Sequence, residues 1–452
     1  MPVASASPLT KSQCVSILIV AFLGWMFAGV QMGINAIVHH PAARDLLGTI
    51  ADKAEVAKWS GWLVVAFLLG AAAGGYLFGW VGDRFGRSRA MSFSIGCYAV
   101  FSAISIFSPA VEVFWVLRFL TCLGIGGMWP NGMALLQEAW PNTAKPILAG
   151  VLGTSANVGI MFFAVLCMQV DVTPDHWHWA MIVGACPIVL AVASWYLVPE
   201  SPKWLAEEQS QSATGKQVGL SEVFSPPHLR LTIIGIVLAF VPLFGGWGVA
   251  NWANYWSAEF KQQATANQDI GDDGSKTQEA ASSKKNQISA AQASFHRSWP
   301  GAISSLLGGA LAFLLGRRFS YALLCLLAFA CTQFLYSVPD PSADGFLFWV
   351  RGLGFFSGFF FGWLPLCLPE MFPTRVRSTG SGVSFNFGRI IVALLMIVTS
   401  LALKSYFEGS YDQVGRLCGY VYLLGVVAVL LLPPPKKNSQ LGEEVLPSGV
   451  DR

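Results

Sequence analysis

The sequence predicts an all-α integral membrane protein with about twelve transmembrane helices. Of its 452 residues, 54% are hydrophobic and only 12% are charged, which is about half the charged share of an average soluble protein. The mean hydropathy is +0.55, so most of the protein surface must face lipid and the bilayer is its principal partner. The apolar residues also fall into runs of the roughly 20 residues that one crossing requires.

These runs form two sets of six. The first set lies at about 15–38, 60–80, 89–108, 112–137, 147–170 and 179–198, and the second at about 229–256, 299–316, 319–337, 345–368, 378–403 and 415–433.

The two sets predict two six-helix bundles, at 1–198 and 229–433, joined by a cytoplasmic linker at 199–228. A polar tail follows at 434–452. One segment of the second bundle, 261–292, is rich in Gln, Ser, Ala and charged residues, a composition that cannot bury a core. We therefore expect a disordered external loop there.

Basic residues predict the orientation. If the N-terminus is cytoplasmic, the inner loops collect most of the Lys and Arg, including Arg84, Arg87, Lys145, Arg317 and Arg377. This distribution obeys the positive-inside rule. The expected location is the inner membrane of the cell, with multiple crossings and both termini in the cytoplasm.

Several function classes are excluded. The net charge of +3 is scattered, so we expect no nucleic-acid partner. All nine cysteines lie in or beside apolar runs, which argues against a disulfide framework. The clustered histidines, His39 with His40 and His176 with His178, provide too few ligands for a metal site. No nucleophile–base pair lies within the spans, so we expect neither an enzyme nor a cofactor.

The two halves repeat each other. Glu138–Pro141 reads EAWP and Glu370–Pro373 reads EMFP, and a basic residue and a glycine follow both copies at matching distances. A six-helix unit duplicated in parallel gives two bundles related by a pseudo-two-fold axis along the membrane normal. In such architectures a small-molecule substrate binds near the midplane between the bundles, which rock to give alternating access.

The turn after the second span carries the sharpest motif, Gly79-Trp-Val-Gly-Asp83-Arg84-Phe-Gly86-Arg87. Glycines permit a tight turn, and the acid with the arginines predicts a charge network that holds neighbouring helices in one state. This turn resembles the signature loop of the major facilitator superfamily of secondary transporters. The matching turn of the second half, Phe313–Arg318, keeps Gly-Arg but lacks the acid.

Other motifs resemble branches of that superfamily. Pro199–Leu205 reads PESPKWL and is similar to the sugar-porter motif PESPRWL. The stretches Arg118–Asn131 and Ser384–Arg389 are similar to the metabolite:proton symporter branch, whose members carry sialic acid, aromatic acids and related carboxylates. The resemblance implies a carrier of a small organic solute, and we expect a monomer.

Buried charge indicates where the solute binds. Arg118, Arg351 and Arg389 lie inside apolar spans, where a charge costs at least about 2.5–3.5 kcal/mol. Arg389 is about eleven residues into its span, roughly 17 Å deep, and we expect it to face the cavity. Arg118 and Arg351 lie nearer the outer ends, where snorkelling or structural pairing is the alternative. An arginine fork suits a carboxylate because it engages both oxygens.

Polar residues complete the predicted sites. The predicted substrate site comprises Arg389, Asn386, Arg118, Asn131, Asn157, Gln31, Trp247, Asn251, Tyr255 and Arg351. The predicted gating residues are Gly79, Asp83, Arg84, Gly86, Arg87, Glu138, Glu370, Arg375 and Arg377. For Glu138 and Glu370 we favour ion pairing with the inner loops over proton transfer.

The first span lacks an expected group. Related symporters place acids in this stretch, but Ala28 and Gln31 stand at those positions. The identity of a coupling ion, a proton included, therefore stays open. The sequence favours a carrier of an anionic metabolite, such as a sugar acid or an aromatic acid. A neutral-sugar carrier and a solute sensor that does not transport are the alternatives.

Overall fold

The fold follows from twelve apolar segments that must satisfy their backbone hydrogen bonds internally within lipid. The computed structural model describes residues 9–48, 52–140, 145–202, 204–205, 220–270, 288–373 and 376–432. Across these ranges the chain is helical without strands, and twelve helices are long and apolar enough to cross a membrane. The predicted fold class is confirmed.

We number the crossing helices α1–α12. Their bounds are α1 Lys11–Ile37, α2 Lys53–Phe85, α3 Arg87–Ile104, α4 Val111–Ala139, α5 Lys145–Gln169, α6 His178–Leu197, α7 Pro226–Phe244 continued by Gly245–Val249 and Ala250–Ile270, α8 Ala290–Leu315, α9 Arg317–Leu335, α10 Gly345–Glu370, α11 Arg377–Ser405 and α12 Tyr411–Leu430. Two breaks are short: α6 is interrupted after Ala185 and α12 after Gly419. A short helix, His39–Leu47, follows α1.

Two predicted boundaries are wrong. The residues 261–270, expected to be disordered, continue α7 as a helix to Ile270. The eighth helix begins at Ala290, nine residues before the predicted start, because Ser289 and Gln292 form a capping box. Both errors have one cause: hydropathy marks where the bilayer ends, whereas good helix formers and caps extend a helix beyond it. The rest of the predicted loop, 271–287, lies outside the described residues.

Tight turns join α2 to α3 and α8 to α9. Gly86 has φ +102° and Gly316 has φ +78°, a left-handed region that favours glycine. These two glycines occupy matching places in the sequence repeat. Each half therefore makes the same sharp reversal on the face where the described residues begin, at Leu9, and end, at Leu432. We call this the proximal face. The opposite face is the distal face.

Glycines bring the helices of each half into close contact. A Cβ atom added to Gly74 on α2 would lie 1.9 Å from the Leu123 carbonyl oxygen on α4, and one at Gly354 on α10 would lie 2.1 Å from the Arg297 carbonyl oxygen on α8. Neither position accepts a side chain, as expected for small-residue helix packing in membranes. Across the two halves, α2 packs on α11 and α5 packs on α8, and candidate site residues lie along these seams.

Candidate functional site

Arg389 lies on α11 at the seam with α2. Its Nη1 atom donates to the Ala71 carbonyl oxygen at 3.2 Å and to Asn386 Oδ1 at 3.3 Å. The guanidinium carbon is 4.7 Å from the centre of the Phe385 ring, a cation–π contact. The residue is only 8% exposed, and in the described part of the chain no carboxylate pairs with it. Arg389 is thus a buried cation whose two hydrogen bonds leave Nε and Nη2 for a further acceptor.

Asn386 supports this arginine from the preceding turn. Residues three apart share a helix face, so Asn386 and Arg389 project together toward α2. A Cβ atom at Gly75 would lie 3.1 Å from the Asn386 amide, which shows how closely α2 approaches. The structure therefore brings together the two predicted site residues of α11 at a contact between the halves.

Arg118 on α4 lies inside the N-terminal half and is fully buried. Its Nη1 donates to Gln31 Oε1 at 2.9 Å, and its Nη2 donates to Asn35 Oδ1 at 3.0 Å and to the Gln31 carbonyl oxygen at 3.3 Å. Gln31 in turn donates to the Gly184 carbonyl oxygen on α6 at 2.8 Å. Arg118 therefore does not snorkel. Its partners in the described ranges are neutral oxygens of its own half.

His39 lies just beyond α1, outside the membrane-crossing segments, and continues the face of Gln31 and Asn35. It is fully buried, and within the described residues neither ring nitrogen has a hydrogen-bond partner. Burial lowers the pKa of His39 well below its usual value, and the nearby charge of Arg118 lowers the pKa further. The imidazole is therefore neutral at physiological pH.

Two further arginines, Arg351 and Arg297, lie in the C-terminal half. Arg351 Nε donates to His296 Nδ1 at 3.2 Å. Arg297 Nη1 donates to the Gly246 carbonyl oxygen at 3.2 Å. Gly246 lies in a π-helical turn, Gly245–Val249, that interrupts α7. Such turns are frequent at functional sites because they expose backbone carbonyls.

The predicted residues of α7 lie close to this turn. The Trp247 ring is 4.3 Å from the Phe67 ring on α2, and Tyr255 donates to the Ser60 carbonyl oxygen on α2 at 3.4 Å. Both contacts cross from one half to the other. Asn251 is fully buried, yet neither atom of its amide has a partner in the described part of the chain. A buried amide whose donor and acceptor atoms both lack a partner is a candidate for binding a polar solute.

Two other predicted site residues differ in their surroundings. Asn131 donates to the Phe78 and Gly127 carbonyl oxygens, each at 2.9 Å, so its amide hydrogens are committed to packing α4 against α2. Asn157 on α5 faces Gly301 on α8, whose added Cβ atom would lie 3.4 Å from the Asn157 side chain. Asn157 thus lies at the seam between the halves, whereas Asn131 does not.

The proximal face carries the predicted gating residues. Arg87 Nη1 pairs with Glu138 Oε1 at 2.6 Å, and the Ser201 hydroxyl donates to Glu138. Glu200 accepts the backbone N–H groups of Arg87 at 2.9 Å and Ser88 at 3.1 Å, so it caps the start of α3. A negative charge at a helix N-terminus stabilises the helix because it interacts favourably with the helix dipole.

The second half repeats this ion pair, since Arg317 pairs with Glu370. Arg87 and Arg317 follow the two tight-turn glycines, and Glu138 and Glu370 end α4 and α10. The second turn, which lost its own acid, therefore still has one from α10.

Among the other predicted gating residues, those whose side chains the structure describes make no such pair. Arg84 stacks over Trp80, with 5.5 Å from the guanidinium carbon to the ring centre, and Gly79 has open space beside it. Arg375 and the side chains of Asp83 and Arg377 lie outside the described residues.

Known proteins resemble this chain over most of its length. Residues 16–222 match the family described as "Sugar (and other) transporter". The cis,cis-muconate transport protein of Acinetobacter baylyi is 28% identical over 336 residues, covering 72% of this chain and 74% of that protein. The sialic acid transporter NanX of Escherichia coli is 25% identical over 369 residues, covering 81% and 82%.

Among solved structures, the inward-open xylose transporter XylE of Escherichia coli superposes with a TM-score of 0.67. The two are 17% identical, and the match covers 94% of this chain and 98% of that one. This chain thus resembles the transporters of the major facilitator superfamily. Its relatives and structural neighbours are themselves transporters and not enzymes.

Sequence reasoning missed three polar residues of this transporter. Arg297 was missed because the eighth span was predicted to start at 299, although Ser289 and Gln292 already signalled an earlier helix start. Glu259 was missed because hydropathy ended the seventh span at 256. His40 was weighed only as a metal ligand. Each lies near the distal end of a helix, where composition gives a weak signal.

Proposed function

We propose that this transporter moves a small anionic organic solute, such as a sugar acid or an aromatic acid, and that Arg389 binds the carboxylate. The observation that carries the proposal is the burial of Arg389 without an acidic partner in the described residues. A buried charge is costly unless it is paired. A bound carboxylate supplies that pair, and the planar guanidinium can engage both of its oxygens.

The position of Arg389 supports the same role. It reaches from α11 of one half to the Ala71 carbonyl oxygen on α2 of the other. A solute held there touches both halves and is released when they separate, as alternating access requires. The proposed moving units are the bundles 1–198 and 229–433, acting within a monomer whose proximal face is cytoplasmic in an inner membrane.

The similar proteins agree with an acidic solute. Relatives are described as carriers of cis,cis-muconate, sialic acid, niacin and 4-hydroxybenzoate, all of which are carboxylic acids. The structural neighbour carries xylose, a neutral sugar. The amide of Asn251, which has no hydrogen-bond partner among the described residues, favours a neutral sugar as the second candidate, because amides bind hydroxyl groups without charge.

The residues of the first span favour a transport cycle in which no proton is carried by that span. Gln31 occupies the predicted acid position and binds Arg118 through its amide oxygen. An amide does not titrate, and arginine stays protonated at physiological pH. Neither group can therefore load and release a proton during the cycle.

Uptake into proteoliposomes tests the proposal. The probes are labelled cis,cis-muconate, 4-hydroxybenzoate, sialic acid, niacin and xylose. We expect saturable uptake of at least one acid, loss of that uptake in Arg389→Gln, and partial uptake in Arg389→Lys. Arg416→Gln, which removes an exposed arginine that donates to the Tyr336 carbonyl oxygen, is the matched control and should retain uptake.

An imposed pH gradient should not concentrate the acid above equilibrium. Undiminished uptake in Arg389→Gln contradicts anion recognition, and xylose uptake alone supports the neutral-sugar candidate. Accumulation driven by the gradient contradicts uncoupled transport.

A further inference from the structure

An aromatic pair crosses the seam between the halves close to Arg389. The Phe67 ring on α2 and the Trp247 ring on α7 have centres 4.3 Å apart, with their planes at 52°. Phe67 is 2% exposed and Trp247 is 9% exposed. Phe67 lies one helical turn, about 6 Å, from Ala71, whose carbonyl oxygen accepts a hydrogen bond from Arg389. The two rings, which we call the aromatic layer, therefore lie one turn to the distal side of the proposed anion site.

The seam widens on the proximal side of that site. A Cβ atom added to Gly75 on α2 would lie 3.1 Å from the Asn386 amide on α11, so the two helices touch there. One turn closer to the proximal face, Gly79 on α2 and Gly382 on α11 have no atom of another described segment within 4 Å of an added Cβ. The anion site therefore lies at the first closed level that a solute from the proximal face meets, and the aromatic layer closes the next.

Three helices meet around Arg389. The arginine belongs to α11, and its hydrogen bond to Ala71 reaches α2. The third helix is α7, because a Cβ atom added to Gly388 would lie 3.1 Å from the Phe240 backbone nitrogen. The side chains of α2, α7 and α11 therefore decide what surrounds a solute bound at this arginine.

These three helices offer few polar side chains to a solute. Residues 63–75 of α2 contain no side-chain donor or acceptor, and in residues 233–249 of α7 the one polar side-chain group is the indole N–H of Trp247. Residues 385–398 of α11 contribute only Asn386 besides the arginine itself, and the Asn386 oxygen already accepts from that arginine. The surroundings of the anion site on these helices are therefore apolar.

This composition distinguishes the two kinds of acid that the proposed function leaves open. A sugar acid carries a hydroxyl group on most of its carbon atoms, and each hydroxyl that is buried without a partner costs free energy. A planar unsaturated acid buries carbon atoms instead, and its π-system packs favourably on aromatic rings. The apolar helices and the aromatic layer therefore suit the planar acid.

The unpartnered amide on α7 is separated from the anion site. Asn251, whose amide has no hydrogen-bond partner among the described residues, lies one turn to the distal side of Trp247. Because residues four apart share a helix face, Trp247 stands between Asn251 and the level of Ala71. A solute held at Arg389 therefore reaches this amide only past the aromatic layer.

We propose that Phe67 and Trp247 determine the specificity of the Arg389 site and select a planar, unsaturated carboxylic acid over a sugar acid. Arg389 holds the carboxylate, and the aromatic layer contacts the ring or conjugated chain attached to it. Phe385 covers one face of the Arg389 guanidinium and leaves the edge of the guanidinium for the carboxylate. The inference rests on the proposed function in one respect, namely that a carboxylate bound at Arg389 brings the solute beside these rings.

Equilibrium binding to the purified full-length transporter tests this selection. Two matched pairs of probes carry the same carboxylate groups on a planar or a saturated frame: 4-hydroxybenzoate with 4-hydroxycyclohexanecarboxylate, and cis,cis-muconate with adipate. Glucuronate is the sugar acid. We expect at least one planar acid to bind about tenfold more tightly than its saturated partner and than glucuronate, as one or two aromatic contacts provide.

Substitutions in the aromatic layer should reduce this preference selectively. Phe67→Leu and Trp247→Leu keep an apolar side chain but lose a ring. Each should lower the preference about fivefold, while the saturated acid binds within about twofold of its wild-type affinity. Trp247→Phe retains a ring and should keep most of the preference. Phe360→Leu, which removes a buried ring packed on Tyr321 within the C-terminal half, is the matched control and should leave the preference unchanged.

Two results overturn the inference. One is a wild type in which neither planar acid binds more tightly than its saturated partner, or in which glucuronate binds as tightly as the better planar acid. This comparison needs no substitution, so it decides the question even where a variant fails to fold. The other is a preference for planar acids that is unchanged in both Phe67→Leu and Trp247→Leu.

Arg389→Gln separates this inference from the proposed function. Loss of all acid binding in Arg389→Gln, together with a wild-type preference for glucuronate, refutes the selection by the aromatic layer and keeps anion recognition. Planar-acid binding that survives in Arg389→Gln but depends on both rings refutes anion recognition at Arg389 and keeps the selection by the aromatic layer.

Discussion

Arg118 and Arg389 are both buried arginines in membrane-crossing helices, yet their surroundings differ. Arg118 is enclosed within one half and makes three hydrogen bonds to Gln31 and Asn35 in the described part of the chain. Arg389 lies between the halves, and both of the hydrogen bonds that it makes to described residues involve the single atom Nη1. One guanidinium is largely satisfied by its own bundle, and the other retains donors at a seam that opens.

The comparison of the two arginines shows that buried charge alone does not identify a binding residue. The sequence placed both arginines in the substrate site for the same reason, the cost of a charge in an apolar span. The structure separates them by what remains unpaired and by whether the contacts cross the moving interface. By these criteria we propose Arg389 as the binding group, whereas the hydrogen bonds of Arg118 tie together the N-terminal half.

The largest effect is expected when Arg118 is removed. Arg118→Leu leaves the Gln31 and Asn35 oxygens buried without donors, and each unsatisfied group costs about 1–3 kcal/mol. We expect a loss of about 3 kcal/mol or more, seen as low folded yield and a lower Tm by differential scanning fluorimetry. Arg389→Gln should change Tm much less. An equal loss of Tm in the two variants contradicts the distinction.

A smaller effect is expected at Asn386. Asn386→Ala removes an oxygen that holds Arg389 at 3.3 Å, a contact worth about 1 kcal/mol. The affinity for the transported acid should fall about fivefold, with Tm nearly unchanged. Asn131→Ala is the comparison, since its bonds tie α4 to α2; it should lower Tm and leave the affinity of the folded protein intact. The reverse pattern would exchange the roles of these two asparagines.

Gln31→Glu tests the role of Arg118 by giving it a charged partner. A carboxylate beside Arg118 replaces a neutral acceptor by a charged one, and charge-assisted bonds are stronger. The bond to Gly184 is lost, so we expect a net gain of only about 1 kcal/mol, measured as a higher Tm. A lower Tm would show that the neutral Gln31 bridge to α6 matters more than the charge of Arg118.

The smallest effect concerns His39. Its pKa is lowered in the folded state, so below about pH 6.5 the unfolded chain binds a proton that the folded chain does not. Stability therefore falls as the pH drops from that value, and above it this residue contributes no pH dependence. In His39→Gln, Tm should fall less than in the wild type as the pH is lowered. The corresponding difference in the free energy of unfolding should be less than about 1 kcal/mol at pH 6. An identical acid slope in His39→Gln contradicts this assignment.

The sequence predicted most of the scaffold. Twelve crossings follow from hydropathy, and the duplicated EAWP and EMFP stretches indicated the equivalence that the Arg87–Glu138 and Arg317–Glu370 pairs now display. The site was less predictable. Phe67 and Trp247 are 180 positions apart, and nothing local in the chain indicates that they meet. The division between Arg118 and Arg389 depends on hydrogen-bond partners, which composition does not reveal.

The most direct test of anion recognition is equilibrium binding of one carboxylic acid and its amide to wild-type protein, Arg389→Gln and Arg118→Lys. The acid is the tightest binder among cis,cis-muconate, 4-hydroxybenzoate, sialic acid and niacin, measured by isothermal titration calorimetry. The wild type should favour the acid over its amide by at least about 30-fold, as a charge pair worth about 2 kcal/mol requires. Arg118→Lys should keep this preference and Arg389→Gln should lose it. A preference that survives in Arg389→Gln would contradict the assignment of Arg389 as the anion-binding residue.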